Sequence, residues 1–266
     1  MHLGKFSNLT NNQLKMRKYG LIGFPLGHSF SKKYFTEKFL VQHVSECSYD
    51  NYPIKSLDGL TKLIESDQEL AGLNVTIPYK TEIIRLLNKI DPEAEEIGAV
   101  NVVKITWSSG LFMLSGYNSD ATGIRDTLSP YITDNVRNAL ILGTGGSSRA
   151  VNYVLGKFGL NVKLVSRERK PGILAYSDIT RSILENTHLI VNTTPLGMFP
   201  NVEGSPEIDY SGLNGNQILF DLVYNPEITT FLRKGAEKGC NVISGIKMLY
   251  SQAEKSWDIW NDDSFV

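Results

Sequence analysis

The sequence predicts an α/β fold divided into two domains, and three observations carry that prediction. Residues 138–167, NALILGTGGSSRAVNYVLGKFGLNVKLVSR, read as strand, glycine turn, helix and strand. Upstream, apolar strand patterns alternate with helical ones between Tyr19 and Ile77. A length of 266 residues suits two modest domains or one large one, and 41% hydrophobic with 21% charged residues is the balance of a globular chain able to bury real cores.

Taken in order, residues 1–15 are polar, Asn-rich and without either periodicity, and are expected to be a tail. Met16 stands just before the first apolar strand, Tyr19 to Gly23. The turn-rich loop Phe24-Pro25-Leu26-Gly27-His28-Ser29-Phe30-Ser31 leads into a helix reaching about His43, which Ser31 can cap alone. The hydroxyls of Ser29 and Ser31 could equally hold a carboxylate. His28 has no carboxylate or thiol neighbour in sequence and is expected to be structural. Cys47 to Ile54 reads as a second strand, Ser56 to Glu65 as a helix capped by Ser56, and Gly72 to Ile77 as a third strand. Lys80 follows directly, where open α/β sheets present ligand-binding groups, although most lysines so placed are simply solvated. Asp91 to Glu96 starts a short acidic helix suited to the helix dipole. Strands at Val102 to Trp107 and Leu111 to Ser115 follow, then Gly116-Tyr117-Asn118-Ser119-Asp120.

In the second half, the short apolar run Ala139 to Leu142 ends at Gly143-Thr144-Gly145-Gly146, and a helix opens at Ser147 or Ser148. Glycine tolerates positive φ and lacks a Cβ, so backbone N–H groups can approach a pyrophosphate, and the helix N-terminus favours its charge. The usual third glycine is Ser148 here, and a glycine-rich loop without a ligand is the competing reading. After the strand Val162 to Val165 an NAD enzyme would carry an acidic residue for the ribose 2′-hydroxyl. This chain has Ser166-Arg167-Glu168-Arg169-Lys170 instead. Guanidinium groups fork onto a 2′-phosphate, so NADP is expected, with Arg167 and Arg169 supplying the bonds. Glu168 keeps open the alternative of a solvated charged loop.

Only about twenty residues separate Arg167 from the strand Leu189 to Asn192, too few for a comfortable full crossover helix. Pro171-Gly172 breaks the chain, Ile173 to Tyr176 suits a short strand and Thr180 to Glu185 a short helix, giving a trimmed domain with a more open adenine side. Phe220 to Tyr224 reads as a strand stopped by Asn225-Pro226, Ile228 to Lys238 as a helix closed by Gly239, and Asn241 to Ser244 as the last strand. Met248 to Trp260 is amphipathic, and core packing alone would account for it.

Composition excludes several classes. A formal net charge of −1 makes no electrostatic case for nucleic acid or an anionic membrane, and no apolar run is long enough to span a bilayer. Cys47 and Cys240 form no CxxC pattern and no apolar leader is visible, so a reducing, cytoplasmic setting is expected and the sequons at Asn8, Asn74 and Asn192 are read as accidental. The four histidines are scattered, and no ligand cluster of the kind zinc demands is present, so no metal is expected. The expected partner is a small-molecule substrate, with the chain a monomer or homodimer.

Eight motifs now stand in order along the chain: IGFPLGHSFS, GLNVTIPYK, IGAVN, GYNSDATG, GTGGSSRAV, VNTTPLGM, DLVYNP and SGIKMLYSQA. From about Tyr19 to Trp260 the chain resembles the shikimate dehydrogenases. The resemblance implies an N-terminal α/β substrate domain, a C-terminal Rossmann-like dinucleotide-binding domain and an active cleft between them. Residues 16–120 with 246–266 would form the substrate-binding and catalytic part, and 121–245 the NADP-binding part. It implies Lys80 and Asp120 as the catalytic pair, and Ser29, Ser31, Thr76, Asn101, Tyr224 and Gln252 as substrate contacts. It implies Gly143, Thr144, Gly145, Gly146 and Ser147 as the phosphate loop, Ser166 and Arg167 at the 2′-phosphate, and Leu222 and Gly245 on the nicotinamide side. Departures from the family pattern are Ser166 for the usual Asn, Lys32 for proline, Phe35 for histidine and Lys247 for glycine.

The implied activity is reversible NADPH-dependent reduction of 3-dehydroshikimate to shikimate, a step toward chorismate and the aromatic amino acids. The rivals are a quinate/shikimate dehydrogenase of broader choice, a folate-processing dehydrogenase of similar layout, which the Ser29, Ser31 and Asp120 motifs disfavour, and a nucleotide-binding sensor without catalysis.

Overall fold

The computed structural model describes residues 16–26 and 29–262. The expected tail, the Asn8 sequon and His28 lie outside the described residues.

The first half alternates β1 (Arg17–Gly23), α1 (Phe30–Val41), β2 (Cys47–Pro53), α2 (Leu60–Glu65) and β3 (Leu70–Val75). It continues with β4 (Lys89–Ile90), α3 (Pro92–Ile97), β5 (Val102–Ser108), β6 (Leu111–Tyr117) and α4 (Asp120–Leu128). These strands form one sheet in the order β2-β1-β3-β5-β6-β4. β1 runs parallel to both β2 and β3, while β5 runs antiparallel to β3 and β6. β3 and β6 therefore point the same way, separated by one reversed strand. The sequence-based expectation placed β3 two residues too late. Past Val75 the chain turns out of the ladder, although Thr76 N still donates to Ile22 O at 2.9 Å. Alternation puts Leu73, Val75, Val103 and Ile105 in one apolar cluster, while Tyr19 and Val102 face another built from Phe35, Tyr49 and Trp260.

The second half contains β7 (Asn138–Leu142), α5 (Gly146–Lys157), β8 (Asn161–Ser166), β9 (Ile173–Ala175), α6 (Arg181–Glu185) and β10 (Leu189–Asn192). β11 (Ile218–Asp221), α7 (Thr230–Ala236), β12 (Asn241–Ile243) and α8 (Ile246–Asn261) close the chain. The order β12-β11-β10-β7-β8-β9 is parallel throughout. This is the strand order 3-2-1-4-5-6 of a doubly wound dinucleotide fold, read from the β9 edge, with the switch point between β7 and β10. The trimmed crossover is real: β8 and β9 are joined by six residues without a helix. So short a link suffices because β9 is only three residues long and pairs with the last three of β8.

α4 joins the halves. Its buried Ala121, Ile124 and Leu128 share one apolar cluster with Ile97 and Ala99 from the first half, with Ile141, Val151 and Val191 from the second, and with Met248 of α8. The two halves thus meet along α4 on packed hydrocarbon.

Candidate active site

Because β3 and β6 run in the same direction, the chain leaves both at one edge of the sheet. Lys80 stands just past β3, and Asp120 just past β6 at the start of α4. Lys80 Nζ donates to Asp120 Oδ2 at 2.6 Å and to Ser147 Oγ, in the first turn of α5, at 3.2 Å. The two side chains of the ion pair are 14% and 6% exposed, so the pair is fixed in direction rather than freely solvated. Asn101 Nδ2 donates to Asp120 Oδ1 at 2.9 Å and to Ser119 Oγ at 3.0 Å, while its Oδ1 accepts from Ser119 N at 2.7 Å. Asn101 therefore orients Asp120, and its amide is largely spent inside the protein.

A cleft of ≈ 300 Å³ opens above this pair. Ser29, Ser31, Thr76, Lys80, Asn101, Asp120, Ser147, Leu222, Tyr224, Gly245 and Gln252 all line it. Of the two hydroxyls able to cap the helix, Ser29 does so, accepting from Lys32 N at 3.3 Å, and Ser31 does not. α1 begins at Phe30, two residues before the start a Ser31 cap would give, which leaves Ser31 inside the helix and beside the Tyr49 hydroxyl. Tyr49 donates to Asn74 Oδ1 at 2.8 Å, and Asn74 Nδ2 donates to Ser256 Oγ of α8 at 2.9 Å. Ser256 meets Ser119 Oγ at 3.1 Å, closing a buried polar chain from Ser31 to the carboxylate's neighbour. Buried Asn74 also shows why its sequon is accidental, as does buried Asn192. Among the departures from the family pattern, Phe35 is buried and stacks on Tyr49 at 4.7 Å, and Lys32 pairs with Asp50 at 2.6 Å. Lys247 is exposed and outside the cleft lining.

On the dinucleotide side, the loop after β7 meets the loop after β10 at the switch point. Gly143 has φ of +115°, and a Cβ there would lie 2.5 Å from Thr193 Oγ1. α5 opens on Gly145 with no side-chain hydrogen bond onto its first N–H groups, and a Cβ on Gly145 would meet nothing within 4 Å. Uncapped donors facing open space are what an incoming pyrophosphate requires, so the residues present fit a dinucleotide. Gly146 has a different duty, since a Cβ there would lie 2.8 Å from Lys80 Cβ. Its bareness lets the glycine turn close on Lys80.

The two arginines of the basic turn are placed differently. Arg167 is exposed at the end of β8. Arg169, expected as a second phosphate ligand, is instead bound to Asp178, with Nε donating to Oδ2 at 2.8 Å and the other guanidinium arm to Oδ1. The Ser166 hydroxyl donates to Glu168 O within the turn.

Sequence reasoning also missed several cleft residues. Thr193, Thr194, Pro195 and Met198 line the cleft, and buried Asp221 holds Asn192 just before them. Asp221 accepts from Asn192 Nδ2 at 2.9 Å, Val223 N at 3.0 Å and Thr229 Oγ1 at 2.6 Å, so it ties two cleft loops and the cap of α7 together. Burial pushes its carboxyl up to about 6 despite those three donors. An Asn-Thr-Thr run after one strand and an Asp ending the next were the available signals.

A glycine turn at the switch point of a parallel sheet, closed against a buried Lys–Asp pair from a second sheet, defines the chain as a two-part dinucleotide-dependent dehydrogenase. The model of a family described as the shikimate dehydrogenase substrate binding domain matches residues 21–103. The chain is 34% identical to the shikimate dehydrogenase (NADP(+)) of Methanococcus aeolicus, over 92% of each chain. Shikimate dehydrogenase 1 from Peptoclostridium difficile superposes with a TM-score of 0.78 at 35% identity, covering 94% of this chain and 95% of that one. Shikimate 5-dehydrogenase from Thermus thermophilus, solved in complex with NADP(H) and shikimate, gives 0.79 at 29% identity, covering 92% and 94%. The chain belongs to the shikimate dehydrogenase family.

Proposed function

We propose that this protein reversibly reduces 3-dehydroshikimate to shikimate with NADPH, on the route to chorismate and the aromatic amino acids. The single observation that carries the reading is the Lys80 ammonium, held at once by Asp120 on the substrate side and Ser147 on the dinucleotide side. Bound NADPH supplies the hydride that reduces the ketone carbon. Negative charge then builds on the ketone oxygen, and Lys80 Nζ gives it a proton as the alkoxide forms. In the reverse direction Lys80 takes the hydroxyl proton. Asp120, itself fixed by Asn101, keeps the ammonium aimed into the cleft and accepts from a ring hydroxyl. Ser29 and Ser31 donate to the ring carboxylate, with Thr76, Tyr224 and Gln252 completing the walls around the ring. Gly143 to Ser147 hold the pyrophosphate, Arg167 the 2′-phosphate, and Leu222 and Gly245 flank the nicotinamide.

The proposal divides the chain into a substrate part, 16–120 with 246–266, and a dinucleotide part, 121–245. What supports the division is that the strands of one sheet all precede Asp120, those of the other lie between Asn138 and Ile243, and α8 packs back on α4 and the first sheet. Among the described residues no helix is long and apolar enough to cross a membrane and no metal-ligand cluster occurs. Cys47 and Cys240 are free thiols, which supports a cytoplasmic location. The test is a spectrophotometric assay of NADPH formation from shikimate and NADP⁺, run beside quinate and NAD⁺. Turnover of shikimate with NADP⁺ above the other combinations is expected. Absence of turnover with every pair would leave a nucleotide-binding sensor, and preference for quinate would overturn the substrate assignment.

A further inference from the structure

The trimmed crossover raises a mechanical question. In a full-length dinucleotide domain the turn that meets the ribose runs into a helix packed on the sheet, and that helix holds the turn in place. Here the turn, residues 167–172, connects β8 directly to the three-residue edge strand β9. Backbone bonds within it are few: Lys170 N donates to Ile173 O at 3.2 Å and Ile173 N to Lys170 O at 2.9 Å. An arginine on so short a link would lose much of its binding contribution to ordering the loop.

Asp178 supplies what is missing. Its side chain is only 13% exposed, and Oδ2 accepts from Ala175 N at 2.9 Å, which anchors it to the end of β9. Both carboxylate oxygens then take the two arms of Arg169. A planar fork on a carboxylate fixes direction as well as distance. The Arg169 guanidinium and the Ala175 N–H hold the Asp178 carboxyl down at about 2, so the clamp stays charged at any working pH.

We propose that Arg169 is a positioning residue rather than a phosphate ligand: clamped by Asp178, it braces the 167–172 turn and so presents Arg167 to the 2′-phosphate of NADPH. The inference rests on the reading of Arg167 as the phosphate ligand. It makes Asp178, a carboxylate beside the very anion the site recognises, a determinant of selectivity for that anion.

Isothermal titration of the full chain with 2′,5′-ADP, and with 5′-AMP as the ligand lacking the 2′-phosphate, tests the brace without turnover. Arg167→Ala should weaken 2′,5′-ADP about tenfold or more and leave 5′-AMP unchanged. Asp178→Asn should weaken 2′,5′-ADP roughly three- to tenfold, again sparing 5′-AMP, and Arg169→Gln should do the same. Adding Asp178→Asn to Arg167→Ala should cost nothing further, because the brace acts only through Arg167. The Arg169 side of this pair is 74% exposed, so the pair contributes little to global stability, and Tm should hardly move in any of these variants. Tighter 2′,5′-ADP binding in Asp178→Asn would overturn the proposal, since it would mean that freeing Arg169 creates a phosphate ligand. Unchanged binding, equal losses for both ligands, or additive losses in the double variant would overturn it as well. A silent Arg167→Ala overturns the phosphate reading itself, and the brace with it.

Discussion

Adding one methyl group at Gly146 should separate the two halves of the site. The new Cβ would lie 2.8 Å from Lys80 Cβ, whereas ordinary contact begins at 3.4 Å. Lys80 Cβ is bonded to the backbone just past β3, so no rotamer can move it aside. The glycine turn and Lys80 must therefore part by about 0.6 Å, a strain of the overpacking kind that costs roughly 1–3 kcal/mol. Ser147 moves with the turn, and its 3.2 Å bond from Lys80 stretches past hydrogen-bonding range. A misplacement of about 1 Å can cost a factor of 10² in rate, so Gly146→Ala should lower kcat about tenfold. Gly145→Ala is the matched control, because its Cβ would meet nothing within 4 Å. That variant should keep its Tm and instead raise the KM for NADPH, since the methyl group would stand where the pyrophosphate approaches. Steady-state kinetics with a thermal melt on both variants separate the two effects. Equal, small effects at the two positions would refute the reasoning, for then the contact between the turn and Lys80 has no catalytic meaning.

Two further outcomes follow from the same geometry. Ser31→Ala should weaken shikimate binding by about 1–3 kcal/mol, the cost of an unmet polar group, measured as KM at saturating NADP⁺; unchanged constants would leave Ser31 as a partner of Tyr49 only. Asp221 has a carboxyl raised to about 6, so the stability it contributes is fully present below about 4 and is lost as pH rises through 6. Between pH 4.5 and 7.5 the native protein should lose on the order of 2 kcal/mol relative to Asp221→Asn in urea unfolding, and parallel curves for the two proteins would contradict this.

Much of this architecture was legible because local chemistry and tertiary structure agree. The strand–glycine–helix–strand unit, the short strand after Pro171-Gly172 and the helix after Thr180 were readable from turn residues and run lengths alone. Boundaries slipped where the chain leaves a strand while still apolar, as at Thr76-Ile77 and at Leu222 to Tyr224, because hydropathy does not register where a ladder ends. Of the site, Lys80 and Asp120 could be named, but the bonds from Lys80 to Asp120 and Ser147 join residues 40 and 67 positions apart and belong to the assembled cleft. The same holds for the chain Tyr49–Asn74–Ser256–Ser119, whose members are ordinary core polar residues in sequence. The pairing of Arg169 with Asp178 was not legible because a basic run looks alike whether its charges meet a ligand or, as here, a carboxylate nine residues on.

In the proposed mechanism Lys80 moves the proton while Asp120 aims it. The direct measurement is kcat for shikimate oxidation by Lys80→Ala, with NADP⁺ affinity determined separately by titration. Loss of a positioned general acid typically costs about 10²–10⁴ in rate, so kcat should fall at least about a hundredfold with cofactor affinity nearly intact. Asp120→Asn should also lose rate, and the double variant should lose less than the product of the two, since the pair shares one 2.6 Å hydrogen bond. A near-normal kcat in Lys80→Ala, with only KM raised, would contradict the account and leave Lys80 as a substrate-holding group.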